Sequence, residues 1–118
     1  EFGQYQKIFK EEIRIYNSFK QLSEYRKRAG SKSFHYAYTY NDLGQRVKIE
    51  TMPKSRLKSW ELHYNDKGQL KSIDSFTFGN KTKLTEFFYG NNGVLKSILE
   101  VHLSSKQMVI TTIRTQQY

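Results

Sequence analysis

One pattern constrains this chain more than any other: a short motif that returns three times at nearly constant spacing. It reads Tyr40-Asn41-Asp42-Leu43-Gly44, then Tyr64-Asn65-Asp66-Lys67-Gly68, then Tyr89-Gly90-Asn91-Asn92-Gly93. Ile49, Ile73 and Ile98 each follow the last Gly of a copy by five residues, and those glycines stand 24 and 25 residues apart. A period of this length is one supersecondary unit copied. Asn and Asp tolerate turn conformations and Gly supplies positive φ. Each copy therefore predicts a hairpin tip between an incoming aromatic strand and an outgoing one.

Around the tips the side-chain period is two. Phe34, Tyr36, Tyr38 and Tyr40 alternate with His35, Ala37 and Thr39; Trp60, Leu62 and Tyr64 alternate with Glu61 and His63. Leu95, Leu99, Val101 and Leu103 share a parity with Ser97, opposite Lys96, Glu100 and His102. This alternation predicts antiparallel strands with one buried face. Near residues 70–73 and 87–89 both parities are apolar, which predicts a bulge or a strand covered on both faces. Residues 52–55, which hold the only proline (Pro53), and Gly79-Asn80-Lys81 turn the chain at the opposite end. A last strand is expected around residues 108–115.

Before Gly30 the spacing is helical. Tyr5, Ile8, Ile15, Phe19 and Leu22 fall at three-, four- and seven-residue steps, and Phe9 and Tyr16 widen the stripe. Gly30 stands where a left-handed C-cap belongs, and Arg26, Lys27 and Arg28 occupy the last turn, where cations suit the helix dipole. The predicted fold is α+β: one long N-terminal helix over residues 4–29, packed on a curved antiparallel meander of about seven strands over residues 33–116. Cystatin-like and nuclear-transport-factor-like half-barrels share that element order. Residues 1–118 read as a single domain. Glu1-Phe2, with no initial Met, reads as part of a tag or linker remnant at residues 1–3, with the native N-terminus upstream.

Composition narrows the chemistry. Eighteen of 118 residues are aromatic although the mean hydropathy is −0.79, so a polar surface over aromatic strands is expected rather than disorder. The absence of cysteine excludes disulfides, thiolate zinc sites and cysteine nucleophiles. No apolar run approaches the ~20 residues of a membrane-spanning helix. Asn80-Lys81-Thr82 matches the glycosylation sequon. A net charge of +9 favours anionic partners.

Gly-rich phosphate loops and metalloprotease or nucleophile-elbow motifs are missing. No cofactor and no metal site is expected; a zinc site from His35, His63 and His102 would need all three on neighbouring strands. Glu61 with His63, and Glu100 with His102, each project two apart from one strand face. With Arg114 and Tyr118 they make the set needed for metal-free RNA cleavage: a base, an acid and a cation. For binding, Arg56 and Lys58 share a parity with Trp60, and Lys7, Lys10 and Arg14 lie on a helix face away from the apolar stripe. The segment from Val109 to Thr115 is β-branched and nearly uncharged, a possible edge for a homodimer.

The segment Tyr36-Ala37-Tyr38-Thr39-Tyr40-Asn41-Asp42-Leu43-Gly44-Gln45-Arg46 resembles the tyrosine–aspartate repeat of Rhs and teneurin shells. His63-Tyr64-Asn65-Asp66-Lys67-Gly68-Gln69-Leu70 is similar, whereas the third copy departs at Gly90-Asn91. Short secreted proteins of Bacteroidetes look like this too. The resemblance covers about half of residues 34–103. It implies a non-enzymatic, extracytoplasmic β-repeat protein of bacterial envelope or secreted origin, and carries over no catalytic residue. The expected function is a binding or structural domain outside the cytoplasm that engages a protein or an anionic polymer. The alternative is a basic nucleic-acid-binding or RNA-cleaving domain.

Overall fold

The computed structural model describes residues 10–52 and 57–113. They form an all-β antiparallel meander of nine strands: β1 (Lys10–Tyr16), β2 (Leu22–Ala29), β3 (Lys32–Tyr40), β4 (Arg46–Met52), β5 (Lys58–Tyr64), β6 (Leu70–Thr77), β7 (Asn80–Tyr89), β8 (Leu95–His102) and β9 (Gln107–Thr112). No helix occurs among the described residues. The α+β expectation of one helix and about seven strands is thus corrected. Residues 10–29 of the predicted helix are β1, a turn and β2, and residues 4–9 lie outside the described set.

The reason lies at Asn17. Its backbone N–H donates to the Gln21 carbonyl at 2.9 Å, and Lys20 N–H donates back to the Asn17 carbonyl at 3.0 Å. Its Oδ1 accepts the N–H groups of Phe19 and Gln21 at 2.9 and 3.0 Å, while its Nδ2 donates to Gln21 Oε1 at 2.9 Å. These bonds reverse the chain and satisfy backbone groups that a helix would need. Gly30 is left-handed (φ +62°), as a C-cap would be, but it turns β2 into β3 instead.

Tyr16-Asn17-Ser18-Phe19-Lys20-Gln21 is therefore a fourth copy of the tip, 24 residues before the first recognised one. Asn41 with Gln45, and Asn65 with Gln69, repeat every one of its five bonds at 2.9–3.0 Å. In the last tip Gly90 replaces Asn, and Asn92 Oδ1 accepts the Val94 N–H at 3.1 Å instead. The residue four after the tip tyrosine is left-handed throughout: Lys20 at +64°, Gly44 and Gly68 at +80°, Gly93 at +81°. The strand register also slips beside the tip tyrosine each time, at Tyr16, Tyr40, Tyr64 and Tyr89.

The chain divides into two compact units, Glu1–Leu57 with β1–β4 and Lys58–Tyr118 with β5–β9. Directly opposed residues in an antiparallel pair share a face, so register identifies the faces in each unit. In the first, Arg14, Tyr25, Tyr36 and Thr51 form one row across four strands, and Glu12, Lys27 and Phe34 a second row on the same side. In the second, Glu61, Asp74, Leu84 and Val101 form a row across β5–β8. At the opposite end, Phe78 and Gly79 both take positive φ in a two-residue hairpin turn. The expected turn around Pro53 lies outside the described residues.

No apolar side chain is buried among the described residues; only Ser75 and Thr85 are. This corrects the expectation of one buried face with a helix upon it. Among the described residues most rings of these rows are half-buried, so the backbone ladder and cross-strand pairs of ~0.2–1 kcal/mol each carry much of the fold.

Candidate functional site

The first unit concentrates rings and cations on one face. Along β3, Phe34, Tyr36, Tyr38 and Tyr40 point to the same side, and β2 adds Tyr25 opposite Tyr36. The Tyr25 and Tyr36 rings stack with centroids 6.4 Å apart and planes 22° from parallel. Arg14 lies over Tyr25 at 5.2 Å, and Arg46 over Tyr38 at 4.0 Å. Such pairs contribute about 0.5–1 kcal/mol each at exposed sites. Arg46 also donates to Tyr40 Oη at 3.1 Å.

Charge is divided between the two faces of this unit. Among the described residues, Arg14, Lys27, Lys32 and Arg46 lie with the rings but only one carboxylate does, Glu12, which pairs with Arg14 at 3.2 Å and accepts the Tyr25 hydroxyl at 2.6 Å. That bond to a carboxylate, followed by desolvation, raises the Tyr25 phenol above its ordinary value. The opposite face holds Glu11, Glu24 and Glu50, paired with Arg28 at 3.9 Å, Arg26 at 3.2 Å and Lys48 at 3.7 Å. His35 Nε2 also meets Glu24 at 2.8 Å. Among the described strand residues of this unit, cations thus outnumber carboxylates on the aromatic face, while the other face is balanced.

The tip residues that vary between copies form a second feature. Phe19 and Leu43 hold equivalent places in the first two tips and are 80 % and 83 % exposed; Lys67 and Asn92 stand there in the others. A shallow groove of about 600 Å³ between the first two tips has Phe19, Tyr38 and Leu43 in its lining.

In the second unit, Glu61 and His63 do share a face of β5, and β6 brings Asp74 to them. His63 Nε2 lies 3.1 Å from Asp74 Oδ2, and Lys81 Nζ is 2.9 Å from Asp74 Oδ1. Partial burial alone would raise the Asp74 carboxyl, but hydrogen bonds from Lys81 and His63 outweigh it and hold the group below its ordinary value. One donor atom each from Glu61, His63 and Asp74 lies within 4.8 Å of the others, the separation at which a metal ion could be shared. The Lys81 ammonium already supplies a cation there. Glu100 and His102 project from the other side of the sheet. Val101, between them, shares the Glu61–Asp74 face, and Glu100 pairs with Lys83 at 3.3 Å. The two Glu/His pairs therefore do not converge on one reacting atom, and His63 and His102 do not meet around one ion.

Of the residues read as binding candidates, Arg14 is part of the aromatic face. Trp60 and Lys58 lie together on a face of β5, opposite Ser75 and Thr77. Lys10 is the first residue of β1, paired with Ala29. Lys7, Arg56, Arg114 and Tyr118 lie outside the described residues. Tyr25, Lys27, Phe34 and Tyr36 were not singled out from sequence as a site: Phe34 and Tyr36 were expected on a buried sheet face, and Tyr25 and Lys27 in a helix, with Lys27 suiting its dipole. No protein-family model matches the chain, and no curated protein is significantly similar to it.

Proposed function

We propose that the chain is a non-enzymatic binding module whose aromatic–basic face in the first unit engages an anionic polymer. The observation that carries this reading is the asymmetry of that face: among the described residues it holds four cations and five aromatic rings against one carboxylate, and none of its rings is buried. Cations draw a polyanion through long-range attraction, and rings on a sheet offer flat contact area at low entropic cost. The tips supply the scaffold that keeps the strands in register. An extracytoplasmic setting remains part of the proposal, supported by the repeat's resemblance.

Adjacent residues on opposite faces test it. Lys27→Glu and Arg28→Glu change net charge equally, but only Lys27 lies with the rings. In titrations with polyphosphate at low salt, Lys27→Glu is expected to weaken binding several-fold more than Arg28→Glu. Equal losses would show attraction to net charge alone and no site on this face.

A second reading concerns β9. Its six residues, Gln-Met-Val-Ile-Thr-Thr, are uncharged and all exposed, whereas β1 carries Glu11, Glu12 and Arg14. Charged edges resist strand addition and uncharged ones invite it. We propose that a second copy of this chain pairs there, where two +9 molecules meet without like charges opposed. Val109→Lys should then shift a concentration-dependent dimer to monomer in sedimentation. A wild-type chain that stays monomeric at high concentration rules this out.

A further inference from the structure

We infer that the polymer taken by the first unit's aromatic face is single-stranded nucleic acid, its bases stacked on Phe34 and Tyr36 and its phosphates held by Arg14, Lys27 and Lys32. This rests on the reading of that face as a polyanion site and narrows the polymer to one that carries flat bases.

Three observations lead there. First, the rings follow one another along β3 at two-residue steps, ~6.8 Å apart. That is about twice the ~3.4 Å rise per strand of a duplex, so successive rings suit bases spread out along a strand and do not suit a stacked helix. Second, planar groups already rest on this face: the Arg46 guanidinium over Tyr38 and that of Arg14 over Tyr25. Phe34 and Tyr36 carry no such cap among the described residues, and Phe34 is 44 % exposed. Phe34 is thus the open ring, and Tyr36, half-buried and stacked with Tyr25, stands next to it. Third, Lys27 stands directly opposite Phe34, and Lys32 is two residues along the same face. Cations at the margins of open rings are the arrangement by which sheet proteins hold single strands: stacking is tolerant of sequence, and phosphate contacts set the salt dependence.

The test uses the whole chain and two fluorescent 12-nucleotide probes of equal phosphate count, a single-stranded DNA and its abasic counterpart. Anisotropy at low salt is expected to show the base-bearing strand bound about tenfold or more tighter. Phe34→Ala should remove most of that advantage. Equal affinity for the two probes on the unaltered chain overturns the base-stacking inference while the polyanion reading stands. Failure of both probes and of polyphosphate to bind overturns that reading as well. Tighter binding of a 12-base-pair duplex also contradicts the inference. The comparison between probes needs no substitution, so it decides the matter even if Phe34→Ala perturbs folding.

Discussion

The Tyr40 hydroxyl donates a 2.8 Å hydrogen bond to the backbone carbonyl of Leu22, the residue that opens the strand leaving the preceding tip. Tyr89 does the same to Leu70 at 2.6 Å. Each bond ties one repeat to the one before it, so the tip tyrosine sets repeat stacking as well as filling the sheet face. Tyr40→Phe keeps the ring and removes the donor. It should cost about 0.5–1.5 kcal/mol in urea unfolding, and Tyr89→Phe a similar amount. If both variants match the wild type, the inter-repeat bonds are not part of what holds the sheet.

Asn41 organises its tip through three side-chain bonds: two accepted from the backbone at 3.0 Å and one donated to Gln45 at 2.9 Å. Asn41→Ala leaves the Leu43 and Gln45 N–H groups to solvent and should destabilise by about 1–3 kcal/mol. Gln45→Ala should cost less, because it removes one bond. Calorimetry on the two variants distinguishes this order from its reverse, which would assign the tip's stability to the Gln.

Lys20 holds a left-handed conformation at φ +64° where the other tips use Gly. A side chain in that region costs ~1–2 kcal/mol, offset in part by the larger entropy Gly has when unfolded. Lys20→Gly should therefore stabilise the chain by about 0.5–1 kcal/mol, an unusual gain for a substitution to Gly. A loss of stability would mean that the first tip is not built like the others.

Glu24 is held below its ordinary carboxyl value by the hydrogen bond to His35 and then by Arg26. A carboxylate depressed in the folded state contributes stability that is fully present above its unfolded value, near 4.5. The contribution is lost as pH falls through the lower folded value. Glu24→Gln should thus reduce stability at pH 7, with the gap to wild type closing as pH drops below about 4.5. A gap that is constant with pH would contradict the assigned pairing.

Much of the chain after Gly30 was legible because its determinants are local. The alternation at Phe34–Tyr40 and Trp60–Tyr64 coincides with parts of β3 and β5, and the Asn-x-x-Gly tips lie where the turn chemistry puts them. The first tip was missed because attention to Gly passes over Lys20; the signal that finds it is Asn followed four residues later by Gln, shared with Asn41 and Asn65. Phe19 fitted a helical stripe by spacing yet crowns a tip in solvent. Nothing local tells whether a sheet face is covered, so the open tyrosine face was not readable. Nor was the pairing that joins Asp74 to Glu61 and sets Glu100 on the other side, since register depends on partners distant in sequence.

Side-chain NMR signals followed as polyphosphate is added at low salt report which face of the first unit binds. His35 sits between Phe34 and Tyr36 in sequence but on the opposite face, hydrogen-bonded to Glu24. Binding on the aromatic face should give saturable shifts in the Phe34 and Tyr36 ring protons and in the Lys27 and Lys32 side chains, with the His35 ring protons little changed at fixed pH. Shifts centred on His35, Arg26 and Arg28, with the rings of Phe34 and Tyr36 unmoved, would contradict it.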